Sequence, residues 1–168
     1  MRLILFALYL GSFLLDAFLS CSGPSTPAPE KYMRFTLDGL EYDASANLRG
    51  MIRNDSIAVG TYAPQAAPAP SLNIDLKFPK AVGTYNLTMP AAGSATLTTT
   101  VYGANTQSNV TKNYYAGTKA GTVYGSGTVT VDSYTGSTVT GTFSFTAQQL
   151  GSGATKTISG GRFSVQVQ

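Results

Sequence analysis

Residues 126–168 read SGTVTVDSYTGSTVTGTFSFTAQQLGSGATKTISGGRFSVQVQ, and the period of these side chains decides the fold. Val129 and Val131 share one face. After a turn at Tyr134 to Gly136, Val139, Gly141, Phe143, Phe145 and Ala147 share it again, and beyond Gly151 to Gly153 so do Phe163, Val165 and Val167. Thr128, Thr130, Thr138, Thr140, Thr142, Ser144, Thr146, Ser164 and Gln166 fall opposite. A period of two means strands, and one apolar row beside one hydroxyl row means an antiparallel sheet wetted on one side. The three strands follow one another closely enough to form a meander.

Upstream the same alternation recurs. Met33, Phe35 and Leu37 are followed by Asp38-Gly39, a two-residue hairpin signal, and then by Leu40, Tyr42 and Ala44. Residues 45–56 read either as a brief helix or as a short strand ending at Asn54-Asp55. Ile57, Val59 and Thr61 form the next strand, and Leu72, Ile74, Leu76 and Phe78 another, with Asn73, Asp75 and Lys77 opposite. Between them Pro64, Pro68 and Pro70 demand a surface loop, since proline cannot donate to a central ladder. Tyr85, Leu87 and Met89 give a strand, as do Leu97, Thr99 and Val101. Gly103 to Lys119 reads as a polar excursion, and Gly160-Gly161 as a bulge or tight turn.

These nine or ten short strands and the absence of any secure helix predict an all-β domain. An antiparallel two-sheet sandwich is the first expectation and a flattened β-barrel the alternative, because both cover the apolar face.

The chain starts differently. Residues 3–19 are almost wholly apolar, preceded by Arg2, interrupted by Asp16 and followed by Ser20 and Cys21, the layout of an export signal. Cys21 is the single cysteine of the 168 residues and has no internal disulfide partner. Phe18-Leu19-Ser20-Cys21 resembles a bacterial lipobox, with phenylalanine where leucine is usual, and implies a cysteine acylated at the mature N-terminus. Residues 1–20 are therefore expected to be a lipoprotein signal peptide, 21–30 a Pro/Ser-rich tether, and 31–168 a single domain. Arg2 and Asp16 cancel, so the net charge of +3 survives cleavage. No basic run is present, which argues against nucleic acid as a partner.

Several motifs together carry a family resemblance: Phe35 to Gly39, Gly83-Thr84-Tyr85, Gly127 to Val131, Gly141 to Ala147 and Ile158 to Phe163. Through them, residues 31–167 resemble small Bacteroidota lipoproteins with a C-terminal Gly-Thr-Phe-Ser-Phe β domain of unknown function. Members commonly have Thr and Asn where this chain has Ser159 and Gly160. The resemblance implies a lipid-anchored place in the cell envelope, at the outer membrane, and carries no catalytic residue. Asp55-Ser56-Ile57 also resembles the O-glycosylation acceptor used in that bacterial group, which makes Ser56 a candidate modification site.

Chemistry is constrained by the absence of histidine, which removes Ser-His-Asp and Cys-His nucleophiles and the usual catalytic zinc sites. No phosphate loop or calcium loop stands out. Glu41 and Asp43 share a strand face, where a hairpin explains them more simply than a hydrolase does, and Asp132 is expected to cap a turn. Tyr102, Tyr114, Tyr115, Tyr124 and Tyr134 gather around the Asn-rich excursion, where tyrosines can stack on sugar rings. The expectation is a non-enzymatic envelope lipoprotein without cofactor or metal, membrane-bound through its lipid, acting in structure or in recognition of a glycan or envelope protein. A carbohydrate-binding lipoprotein using the tyrosines is the alternative reading, and a small carboxylate-dependent hydrolase a remote one.

Overall fold

The computed structural model describes residues 30–64, 70–88, 93–103 and 108–168; Cys21, the expected signal and all of the expected tether but Glu30 lie outside them. Twelve strands follow in order: β1 (Tyr32–Leu37), β2 (Leu40–Asp43), β3 (Arg49–Arg53), β4 (Ser56–Ala63), β5 (Ser71–Pro79), β6 (Gly83–Asn86), β7 (Ser94–Val101), β8 (Val110–Lys119), β9 (Thr122–Tyr124), β10 (Ser126–Tyr134), β11 (Thr138–Gln149) and β12 (Thr155–Gln166). One short 3₁₀ turn, Ser45–Asn47, precedes β3, so residues 45–56 combine both of the expected readings.

The two-sheet sandwich is not what forms. Hydrogen bonding runs through one sheet in the order β2-β1-β12-β11-β8-β7-β5-β4-β3, with β10 and β6 branching from β11 and β9 from β8. Two junctions overturn the sandwich. At the first, β11 divides its outer edge: residues 139–146 pair with β10, while Gln148 and Gln149 pair with Tyr115 and Tyr114 of β8. At the second, β3 curls round to the end of β12, where Gly50 bridges Val167 in parallel and the Ile52 amide donates to Gln168 O at 2.9 Å. The result is a single curled sheet, a half-barrel close to the flattened-barrel alternative. Its ladders are antiparallel, which lets each strand put one apolar row inside.

Inside the curl lies one apolar core. The expected rows of β10, β11 and β12 are all buried, and Phe163 bridges the two arms by packing on Phe143 (6.3 Å between ring centres) and on Phe78 of β5 (5.7 Å). The Gly160-Gly161 bulge is real. Three steps of β12 match two in each neighbour, Ser159 to Arg162 against Thr36 to Arg34 of β1 and Ile158 to Gly161 against Phe145 to Phe143 of β11, and Gly160 takes φ +60. The extra residue turns both Ile158 and Phe163 inward despite their odd spacing. Asp38 and Gly39 have φ of +48 and +90, the turn whose twist matches a two-residue hairpin.

Other expectations need correcting. The polar excursion expected over Gly103 to Lys119 loses its second half, because Val110–Lys119 is a ten-residue strand held by β7 along most of its length. Of the strand expected over Tyr85, Leu87 and Met89, β6 ends at Asn86, Leu87 lies beyond it, and Met89 is outside the described residues. Leu40 and Val101, expected on inward rows, are 66% and 44% exposed, since both stand at the rim of the curl beyond the packed core. Asp132 caps nothing among the described residues: it lies beside a register shift in β10, and Thr135 closes the turn by accepting the Thr138 amide at 3.2 Å.

Candidate functional site

The outer face of the β4-β5-β7-β8 arm carries an open groove of about 610 Å³. The strand register builds it. Ser56 opens β4 opposite Pro79, Lys77 lies opposite Ser94, and Tyr115 lies opposite Thr96, so the side chains of several neighbouring strands meet on one surface. Tyr115 points outward because Tyr114, its neighbour in the strand, is only 4% exposed and belongs to the core. The Asn54-Asp55 turn, with Asn54 at φ +52, brings Arg53 and Asp55 to one side of the groove.

A hairpin sets the aromatic wall. β8 returns through Ala120 and Gly121, both at positive φ, into β9, which places Tyr124 opposite Gly117. The Tyr124 ring meets Tyr115 edge to face, with centres 6.2 Å apart and planes at 84°. Lys119 lies 5.9 Å over the Tyr115 ring, and the Tyr115 hydroxyl donates to Thr118 O at 3.4 Å. Aromatic rings in this arrangement hold each other's orientation.

The five sequence-predicted tyrosines therefore separate. Tyr115 lines the groove and Tyr124 backs it. Tyr114 is core, and Tyr134 is partly buried against the core at the end of β10. Tyr102 stands at the far end of β7, its hydroxyl 3.0 Å from that of Tyr62. There the Ser71 and Tyr102 hydroxyls lower the Tyr62 pKa, while Tyr62 raises that of Tyr102. Ser56 sits within the groove, half-buried, with Oγ donating to Arg53 O at 2.9 Å. The alternation of residues puts Lys77 on the outer row but offers no reason to join it to Tyr115; Arg53 and Thr118 arrive only through tertiary pairing.

The carboxylates are placed separately. Asp43 accepts from Arg34 Nε at 3.0 Å and from the Ser45 amide and hydroxyl, and these bonds, Ser45's foremost, hold its pKa below the ordinary 3.8. Glu41 shares its strand and stands exposed. Among the described residues no group of three or more acidic or cysteine side chains is placed to hold a metal ion. Comparison with family models, with curated proteins and with solved structures found no match.

Proposed function

We propose that this chain is a lipid-anchored protein of the cell envelope that binds carbohydrate through the Tyr115 groove. The observation that carries the binding is the groove's composition. A saccharide has apolar C–H faces that stack on an aromatic ring and hydroxyls that exchange hydrogen bonds with polar side chains. Tyr115, steadied by Tyr124, offers the first; Ser56, Ser94, Thr118 and Asp55 offer the second. Arg53 and Lys77 outnumber the one acid in the lining, which favours sugars bearing a carboxylate. No acid pair faces across this groove, so binding rather than glycosidic cleavage is the reading. Anchoring and envelope location rest on the Cys21 lipobox and on the resemblance to small Bacteroidota lipoproteins.

A glycan array covering neutral and uronic-acid oligosaccharides tests the binding. Saturable binding is expected, weakened at least tenfold by Tyr115→Ala and less by Tyr124→Ala, with the Tyr102→Ala variant unchanged. Binding indifferent to Tyr115, or none at all, sinks the proposal. Intact-mass analysis of membrane-extracted protein reads the other half: an acylated mature chain beginning at Cys21 is expected, and an unmodified soluble chain is incompatible with it. The same spectrum reads Ser56, where a covalent glycan would fill the groove and leave no room for a free ligand.

A further inference from the structure

At the other end of β7 and β8 the curled sheet opens, and the opening is lined unlike the groove. Leu37, Thr99 and Tyr114 form a buried floor, and Leu40, Val101 and Val110 rise from it. These three are 66%, 44% and 52% exposed, and they surround one recess of about 310 Å³. Single apolar side chains on a surface need no explanation, whereas several around a concavity mark a site.

The rim carries a net positive charge. Lys112 and Lys156 both line the recess, with Asp38 as the one acid. Asp38 is already committed, accepting from Lys156 Nζ at 2.5 Å and from the Thr157 amide at 3.0 Å. Lys112 forms no ion pair among the described residues. An apolar recess beside an uncompensated ammonium matches a molecule with an apolar tail and an anionic head.

We propose that this mouth binds a small single-chain carboxylate amphiphile, its tail against Leu40, Val101 and Val110 and its head at Lys112. The recess lies at the small end of the range for ligand sites, about 300–1,000 Å³, which admits one short acyl or aryl chain and not a two-chain lipid. The source is a free amphiphile rather than a bilayer. The described chain enters β1 at Tyr32, beside Ser164, and β1 then runs about 17 Å to reach Leu37 at the mouth, so an N-terminal anchor attaches at the opposite end. This inference concerns a separate recess and stands whether or not the Tyr115 groove binds sugar.

The test is fluorescence titration of the detergent-free protein with the anionic aromatic probe 1-anilinonaphthalene-8-sulfonate, followed by competition. One saturable site is expected, emptied by decanoate and at least tenfold less well by decyltrimethylammonium. Lys112→Glu should weaken decanoate at least tenfold and decanol less than twofold; Val101→Asp should weaken both. Lys112 is exposed and outside the core, so its variant folds even if the Val101 variant does not, and unchanged thermal unfolding verifies this. Three results overturn the proposal: no saturable site, equal affinities for decanoate and decanol that ignore Lys112→Glu, or probe binding replaced by partition onto phosphatidylglycerol vesicles. A dimer in sedimentation that Val101→Asp dissociates would assign the mouth to a second copy and overturn it equally.

Discussion

Phe163 is fully buried between Phe78 and Phe143, and its ring lies over Gly141, where an added Cβ would stand 2.7 Å from the ring and 2.1 Å from Thr130 O. The ring could tilt away, but the carbonyl is fixed by the β10–β11 ladder. Gly141→Ala is therefore expected to cost about 1–3 kcal/mol by overpacking, and Phe163→Ala about 3–5 kcal/mol by leaving a cavity between the arms. Urea unfolding of both variants and of their combination separates the two obstacles. Near-additive losses are expected because the carbonyl remains when the ring is gone, and a double variant no worse than Phe163→Ala would identify the ring as the obstacle instead. Single residues are largely legible in the side-chain alternation alone: Phe163 and Gly141 both fall on the apolar row. Leu40 and Val101 depart from it at the rim, and Ser164 departs in the other sense, since the alternation puts it in water, whereas it is 5% exposed between Tyr32 and Thr140 on the flanking strands.

At the scale of elements, the β1–β2 hairpin is fastened to β12 by Asp38. Burial resists ionisation of its carboxyl, but the Lys156 hydrogen bond, the Thr157 amide and the Lys156 charge together hold its pKa below the ordinary 3.8. A pKa depressed in the fold contributes stability above the unfolded value, and that stability disappears as pH falls through the folded one. Asp38→Asn keeps the turn, since asparagine tolerates positive φ, and removes the ion pair, which at this exposure contributes about 0–1 kcal/mol. Urea midpoints should therefore separate wild type from variant at pH 7 and converge below pH 3.8. Asp75 works with the opposite sign. Its carboxylate reaches the surface between strands that desolvate it, and this raises its pKa against the help of Asn73 and Arg49. The native state loses stability as pH rises through that value, so Asp75→Asn should be the more stable protein at pH 7 and equal to wild type in acid; an unchanged midpoint at pH 7 would show the crowding to be harmless. Elements are less legible than residues for a definite reason. In β8, Thr111, Lys112 and Asn113 are exposed in succession, which erases the period of two, and pairing with β7 rather than side-chain pattern makes the strand. The same loss conceals the groove, since Tyr115 faces outward only once β8 is known to be a strand.

For the whole molecule, side-chain alternation specifies which faces are apolar, and those faces would serve a sandwich or a curled sheet alike. The choice is made by backbone pairing at two places, Tyr114 and Tyr115 against Gln149 and Gln148, and Gly50 against Val167. The second depends on a missing side chain. A Cβ at residue 50 would lie 2.6 Å from Gln166 O and 2.7 Å from Val167 Cγ1, so only glycine lets β3 reach the end of β12. Gly50→Val should part this seam while leaving the β11–β12 ladder and the Phe163 contacts in place. Hydrogen exchange resolves the two outcomes residue by residue. The Ile52 amide, which donates to Gln168 O across the seam, should lose its protection in the variant, and the amides that β11 and β12 exchange with each other should keep theirs. If Ile52 stayed protected, the seam would have survived a side chain at residue 50, and closure of the curl would not depend on glycine there. If protection fell throughout β11 and β12, the seam would instead be a support of the whole core, and the two arms could not be treated as packing independently of it.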